Sequence, residues 1–294
     1  MKLLLVDGNS LFYKSYYGTS FRLKQGAERL KDGTPVNALR AFAMMIINLR
    51  THYPSDKILI TFDERDTVTY RNEYTFYKSN RKPQPDDLYA QTPLVKEFLE
   101  LYGIKWYSTN KLEADDVIGI LAKEAKKEGY FVEIVTSDKD LLQLVDHGVD
   151  VLLSHKGVSD MERYTIDNFA EKFHGLQPFQ VIEIKAIMGD ASDNIPGIKG
   201  IGTLGAIDLL KEFNDLDNIY KNLDKITGAR KAKLIRSKEI AYISKSVATI
   251  VTTTEKEIDF EEMKINKPNF KHLMPFLKEK KLYNIMGRIS NKWK

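Results

Sequence analysis

The residues best suited to chemistry are three carboxylates in the stretch Leu112–Lys123. Glu113, Asp115 and Asp116 stand at the head of a strongly apolar run that predicts a helix. Acids suit the first turn of a helix because they meet the positive end of its dipole, which accounts for one or two of them. Three carboxylates within four residues repel one another unless a cation lies between them. A hard divalent cation with oxygen ligands is the obvious candidate.

Further aspartates follow predicted strands. Apolar β-type runs end at Asp7, at Asp63 and just before the pair Asp138 and Asp140. The carboxyl ends of parallel strands share one edge of a sheet, where ligands of such sheets bind. A single aspartate at such a place is commonly a turn residue or a helix cap. Three strands that end in this way, together with the Glu113 cluster, make independent capping a poor explanation.

Two more acids lie in the sequence GDASDN, and the whole set is expected to converge. The nine carboxylates are Asp7, Asp63, Glu113, Asp115, Asp116, Asp138, Asp140, Asp190 and Asp193. Their mutual repulsion requires about two divalent cations. Mg²⁺, with Mn²⁺ as a substitute, suits an all-oxygen site. Two such ions about 4 Å apart would serve phosphodiester hydrolysis, one activating water and the other stabilising the leaving oxygen.

The composition is that of an ordinary globular protein of 294 residues, 43% hydrophobic and 29% charged. The absence of cysteine excludes disulfides and thiolate zinc sites and fits a reducing cytoplasm. The first apolar run breaks at Asp7, too early for a signal peptide or a membrane span. The net charge is +4, but without the nine acids 45 basic residues face 32 acidic ones. An acidic pit in a basic surface suits a metal-dependent enzyme that acts on a polyphosphate.

Strands alternate with helices over residues 1–163, which predicts an α/β core with a mostly parallel sheet flanked by helices. Residues 164–294 have a helical pattern, including one long helix over Ile226–Ser244 and a helical tail from Asn269. Asn37 is a candidate helix cap. No low-complexity linker separates the two parts, so we expect them to pack as one unit.

Two segments suit contact with nucleic acid. Residues 65–92 combine tyrosines with basic residues and prolines, so that cations can neutralise phosphate while rings stack on bases. A solvated loop has a similar composition. The glycine-rich turn Pro196–Gly202 would bring backbone amides close to a ligand, although a generic hairpin has the same sequence pattern. The turn lacks the lysine-serine pair of a nucleotide-binding loop. The basic run over residues 225–238 fits either DNA contact or a solvated helix face.

Six motifs in order resemble those of the bacterial 5′-nucleases in the flap endonuclease family. The likeness is nearest to the 5′→3′ exonucleases that form the N-terminal domain of DNA polymerase I or stand alone. The motifs are VDGNSL, Phe62-Asp63, YKSNR at 77–81, EADD at 113–116, SDKD at 137–140 and GDASDNIPGIKGIG at 189–202. The resemblance implies a PIN-like nuclease core, with residues 65–92 as a helical arch. It also implies a helix–hairpin–helix-type region with its Gly-rich hairpin at 196–205.

The resemblance implies that all nine carboxylates are metal-binding acids. Asp7, Asp63, Glu113 and Asp115 would surround one ion, while Asp138, Asp140 and Asp193 would lie nearer the second. Asp116 and Asp190 would act partly through water. With Asp115 and Asp193, the basic pair Lys78 and Arg81 would form the catalytic set, because the pair polarises the scissile phosphate in the family.

The resemblance also implies DNA contacts. Tyr77 would stack on a base, and Arg71 would contact a phosphate. The hairpin residues would grip the duplex backbone, and they are Gly197, Ile198, Lys199, Gly200, Ile201 and Gly202. The carbonyls of Ile198 and Ile201 would hold a monovalent cation such as K⁺.

The expected protein is thus a monomeric, structure-specific 5′-nuclease that cuts branched, flapped or RNA-primed DNA during primer removal and repair. Its expected place is the cytoplasm, at the bacterial nucleoid. A PIN-type ribonuclease is one alternative, against which the arch and the glycine hairpin argue. A non-catalytic protein that binds branched DNA is another, against which the complete set of acids argues.

Overall fold

A mixed sheet built from near-continuous apolar runs organises the core. The computed structural model describes residues 1–26, 28–65, 67–255 and 257–292. Asp66 of the expected arch, and Trp293 and Lys294 of the expected tail, lie outside the described residues. Within the described residues the sheet has six strands in the order β3-β2-β1-β4-β5-β6. They are β1 (Lys2–Asp7), β2 (Lys57–Asp63), β3 (Lys105–Thr109), β4 (Phe131–Thr136), β5 (Val149–Ser154) and β6 (Met161–Tyr164).

Helices cover both faces of the sheet, and after β6 they are the main elements of the chain. Those of the first half are α1 (Gly8–Lys24), α2 (Asn37–His52), α3 (Asp86–Tyr89), α4 (Thr92–Tyr102) and α5 (Ala114–Lys127). Those of the second half are α6 (Phe169–Lys172), α7 (Gln180–Met188), α8 (Thr203–Phe213), α9 (Leu216–Lys221), α10 (Gly228–Arg236), α11 (Lys238–Ala248), α12 (Phe270–Glu279) and α13 (Tyr283–Lys292). This arrangement confirms the predicted fold class.

The pairing of the strands brings the acids to one edge. β1 lies between β2 and β4 and is parallel to both, and β3 and β5 continue the parallel set. Asp7 closes β1, and Asp63 closes β2. The order of the strands reverses at β1, which is where open parallel sheets bind ligands. The predicted convergence of Asp7, Asp63 and Asp138 therefore follows from topology alone.

Alternate residues of β1 enter two cores. Leu4 and Val6 face a cluster that includes α1, α2 and α4, whereas Leu3 and Leu5 face the side covered by α5. The helical tail, whose role the sequence does not reveal, completes the first cluster through Leu277 on α12. A third cluster belongs to α7, α8, α9, α10 and α11. None of the helices in the described part of the chain is long and apolar enough to cross a membrane.

Three local expectations are wrong. The helix expected over Ile226–Ser244 is two helices, α10 and α11, that meet at Ser237. The short strand β6 runs antiparallel to β5 where no strand was expected. Asn37 is the first residue of α2 rather than its cap. The buried Gln91 takes that role, because its Oε1 accepts from the amides of Ala38 and Leu39.

Candidate active site

A first group of acids lies at the edge of the sheet, where its members bind the N-terminal ends of two helices. Asp7 caps α1, where its carboxylate accepts from the Ser10 amide at 2.9 Å and from Thr136 Oγ1 at 2.7 Å. Asp63 accepts from the amide of Ala114 at 2.7 Å, which ties the end of β2 to the start of α5. Glu113 caps α5. Negative charge is favourable at both helix starts.

Two carboxylates of this edge, Asp7 and Asp115, have a raised pKa. Burial, with the charges of Asp138 and Asp63 adding to it, raises the pKa of Asp7 to about 7. Burial, followed by repulsion from Asp7 and other carboxylates, raises the pKa of Asp115 well above its usual range. A carboxylate in such surroundings gains from a bound cation as much as from a proton. The donor set, all oxygen and crowded, fits hard divalent ions.

A second group of acids comes from two elements. Oxygens of Asp140, Asp190 and Asp193 lie within 4.8 Å of one another. The ammonium of Lys185, from α7, bonds to both Asp140 and Asp190. Burial and the charge of Asp138 raise the pKa of Asp140 to about 7. The pKa of Asp190 falls to about 2, because its bonds with Lys185 and Ser192 outweigh the effect of burial.

Asp116 is bound differently from the other acids. It is fully buried, and its two oxygens accept from Arg71 at 2.6 and 2.8 Å. The amide of Val251 also donates to it, at 2.9 Å. Arg71 is only 3% exposed. Neither partner of this ion pair is therefore available in this conformation for the contact expected of it, a metal ion for Asp116 and a DNA phosphate for Arg71.

The segment expected to be an arch lies across the acids. It contains a 3-10 turn (Tyr70–Glu73), further turns and the four-residue helix α3. Lys78 Nζ donates to Glu113 at 2.7 Å, and Arg81 bonds to Asp193 at 2.6 Å. The hydroxyl of Tyr77 donates to Glu113 at 3.0 Å. Basic side chains of one short segment thus form ion pairs with both groups of acids.

Backbone contacts fix this segment to the loop that carries Asp193. The amide of Lys78 donates to the carbonyl of Asp193 at 2.9 Å. The side-chain amide of Asn80 donates to the carbonyl of Ala191, and that of Asn194 donates to the carbonyl of Phe76, both at 2.8 Å. Lys78 itself has a φ of 55°, a left-handed conformation that a lysine rarely adopts and that surrounding contacts must hold.

A cleft of about 650 Å³ opens beside the first group of acids. Its lining includes the acids Asp7, Asp63, Glu113, Asp115 and Asp138, together with Lys78 and Arg81. The lining also includes residues that the sequence reasoning missed, namely Asn9, Ser10, Tyr13, Lys14, Tyr17, Lys82, Pro83, Gln84 and Ser137. Tyr13 and Tyr17 could have been found from their four-residue spacing, which places both on one face of α1. Lys185, the partner of the second acid group, had no comparable signal.

The glycine-rich hairpin lies directly behind the loop of Asp190. Gly197 has a φ of 59°, and a Cβ there would come within 2.2 Å of the amide nitrogen of Gly189. Only glycine fits such an approach. The side chains of Ile198 and Ile201 are buried in the helical core, while Lys199 and Gly200 are exposed. The exposed turn at Lys199 and Gly200 is thus held in place by two apolar anchors.

Sequence models of one family match almost the whole chain. The 5′-3′ exonuclease N-terminal resolvase-like domain matches residues 2–174, and the 5′-3′ exonuclease C-terminal SAM fold matches residues 176–271. DNA polymerase I of Streptococcus pneumoniae is 40% identical over 282 residues, which are 95% of this chain and 32% of that protein. The chain therefore spans about a third of the length of the polymerase relatives. A 5′-3′ exonuclease of Mycoplasma pneumoniae is 43% identical over 227 residues, 77% of each chain.

Solved structures share the fold at low sequence identity. A bacteriophage T5 flap endonuclease in complex with DNA and metal ions has a TM-score of 0.64 at 20% identity and covers 99% of this chain and 100% of that chain. The catalytic core of Rad2 in complex with DNA substrate has a TM-score of 0.63 at 21% identity, covering 98% and 92%. These likenesses show the fold of the whole described chain.

Proposed function

Because the chain belongs to the 5′-3′ exonuclease family, we propose that it is a structure-specific 5′-nuclease. It would hydrolyse phosphodiester bonds at 5′ flaps and 5′ ends of DNA, for primer removal and repair at the bacterial nucleoid. The observation that carries the proposal is the cleft in which Lys78 and Arg81 face the acid cluster. Acids that could hold divalent ions, next to basic side chains that could meet a phosphate, are the two halves of a phosphodiesterase site.

Two Mg²⁺ ions, replaceable by Mn²⁺, fit the two groups of acids. Asp7, Asp63, Glu113 and Asp115 would hold one ion, and Asp138, Asp140 and Asp193 would hold the other. When bound, such ions lower the pKa of water and neutralise charge on phosphate oxygens. Asp190, with its lowered pKa, would act chiefly through its bonds to Lys185 and Ser192.

The basic residues of the segment over the cleft would change partners when substrate binds. Lys78 and Arg81 now neutralise Glu113 and Asp193. With metal ions held by those carboxylates, the two side chains would be free to neutralise the scissile phosphate, where charge develops as the bond breaks. Tyr77 lies beside Lys78, whose Nζ is 4.8 Å from its ring centre, and would stack on a neighbouring base.

The division of labour along the chain follows from these assignments. Residues 1–163 would form the nuclease core and residues 164–294 the region that binds duplex, packed as one unit with the core and acting as a monomer. The hairpin residues 197–202 would grip the phosphates, with K⁺ bound by the carbonyls of Ile198 and Ile201. Flapped or branched DNA, including RNA-primed DNA, would be the substrate.

Cleavage of a 5′-labelled flap duplex tests the proposal. We expect cuts at the junction with Mg²⁺, none with EDTA and almost none with Asp193→Ala. The exposed Asp167, away from the cleft, provides Asp167→Ala as a matched control that should cut normally. Tight binding of the flap without cleavage under any metal would instead indicate a DNA-binding protein. Cleavage of RNA alone would indicate a PIN-type ribonuclease.

A further inference from the structure

Arg71 and Asp116 form a buried ion pair between elements that are far apart in the chain. The two residues are 45 positions apart, and both hydrogen bonds of the pair are short and bidentate. The pKa of Arg71 is raised, because its bonds with Asp116 outweigh the cost of burial. A buried pair adds little to stability by itself, but it fixes geometry because neither charge can be left alone.

The pair lies where the ends of two helices meet. Asp116 is in the first turn of α5, at its positive end, and its carboxylate also accepts from the amide of Glu113. Arg71 donates to the carbonyls of Val247 at 2.9 Å and Thr249 at 2.7 Å, at the negative end of α11. Both helix dipoles therefore stabilise their own member of the pair. The pair joins α11 to the helix that carries Glu113 and Asp115.

The other end of this connection is the hairpin. Ser244 of α11 accepts from the amide of Gly197 at 3.2 Å. One residue later, Lys245 bonds to the buried Glu183 of α7 at 2.6 Å. The path from the hairpin to α5 therefore runs through α11 and ends at Arg71 and Asp116. The hydroxyl of Tyr70, next to Arg71, reinforces the joint by donating to the carbonyls of Ser246 and Thr249.

We propose that the pair of Arg71 and Asp116 sets the position of the cut along the strand. It would hold the duplex-binding helices at a fixed distance from the metal-binding acids, so that one phosphate reaches the cleft. Asp116 is then a positioning residue that acts through Arg71, rather than a metal ligand. This inference rests on the proposed function, since it needs the hairpin to hold DNA and the acids to cut it.

Mapping of the cut sites at single-nucleotide resolution tests the proposal. We expect wild-type protein to cut a fixed flap mainly at one phosphate. Arg71→Lys keeps the charge but loses the bidentate geometry, and Asp116→Asn keeps the shape but loses the charge. In both, we expect cuts to spread to neighbouring phosphates and turnover to fall by about 10-fold or more, as a misplaced substrate predicts. Unchanged cut positions in both variants would overturn the proposal.

A control variant separates the effect of the Arg71–Asp116 pair on cut position from a general loss of stability. Arg163, whose side chain is 41% exposed, also pairs with two carboxylates, Glu133 and Asp150, at the opposite end of the sheet from the acid cluster. Arg163→Lys should lower the melting temperature without moving the cut. A wild-type protein that cuts no flap at all would contradict the proposed function. A wild-type protein that cuts, with variants that cut at the same phosphate, would contradict only this inference.

Calorimetric titration with Mn²⁺ shows whether Asp116 is a positioning residue or a metal ligand. If Asp116 is a positioning residue, Asp116→Asn and Arg71→Gln should have similar effects on cut position, and the double variant should be no worse than either. The number of ions bound should stay the same in all three. Loss of one ion in Asp116→Asn, both alone and in the Arg71→Gln background, would identify Asp116 as a ligand and refute the proposal. Should a single variant fail to fold, the double variant, which leaves no unpaired charge, still gives the answer.

Discussion

The two ends of the sheet carry charge in opposite ways. Towards the amino ends of the strands, Glu133 of β4 is buried and bonds to Lys2 and Arg163, and Arg163 also bonds to Asp150. Two acids there meet two bases. At the carboxyl edge, nine acids converge, and the cations that the described residues bring to them are Lys78, Arg81, Lys185 and Arg71. The first network is complete within the chain, whereas the second needs further positive charge.

This difference separates structure from function. A balanced network fixes strands, and its charges are neutralised within the protein, so its loss should lower stability. An unbalanced cluster stores repulsion that a bound cation can relieve, so its loss should cost activity. Variants at the two ends of the sheet should therefore produce opposite patterns.

The largest effect is expected at the carboxyl edge, from Lys78→Ala. Removal of this ammonium should lower turnover by about 10²–10³-fold, because stabilisation of charge in the transition state is a large catalytic term. Affinity for the duplex should fall far less. Single-turnover cleavage and equilibrium binding in Ca²⁺ measure the two quantities. Equal losses in both would show that Lys78 only binds DNA. The exposed Lys156, outside the residues that line the cleft, provides Lys156→Ala as the control.

At the amino ends, Glu133→Gln should destabilise the fold while cleavage continues. The variant replaces a buried carboxylate that serves two cations, which should lower the free energy of unfolding by about 2 kcal/mol. Denaturation by urea measures this loss, and the flap assay at low temperature measures the activity. A variant of normal stability that no longer cuts would reverse the comparison.

The third prediction concerns pH and the metal-free protein. The pKa of Asp7 is raised from 3.8 to about 7, so the folded protein keeps a proton that the unfolded chain has lost between these values. The stability from this group is therefore full below about pH 4 and is lost as the pH rises through 7. In EDTA, the free energy of unfolding of Asp7→Asn should therefore rise relative to that of wild type as the pH increases over this range. The relative increase should be at most about 1.4 kcal/mol per pH unit.

Mg²⁺ should reverse that order by stabilising the wild-type protein. Thermal unfolding at pH 5 and pH 8, with EDTA and with Mg²⁺, provides the four necessary values. A difference between the two proteins that does not depend on pH would contradict the raised pKa of Asp7.

The sequence predicts the acid edge because each part of it is local. Asp7 and Asp63 directly follow apolar runs, and parallel pairing does the rest. Prediction from the sequence fails where the fold brings together residues that are far apart in the chain. Gln91 reaches back 53 residues to cap α2, and Arg71 reaches forward 45 to Asp116. Lys185 is an ordinary helical lysine until the fold places it between Asp140 and Asp190.

The smallest effect is expected outside both networks, at the exposed Lys199 of the hairpin. Lys199→Ala should weaken duplex binding only a few-fold, equally for all sequences, and reduce the dependence of affinity on salt by about one phosphate contact. The position of the cut should not move, because the backbone of the hairpin and its anchors Ile198 and Ile201 are unchanged. Binding measured at several salt concentrations tests this. A change in turnover without a change in salt dependence would show that Lys199 acts at the cleft instead of on the duplex.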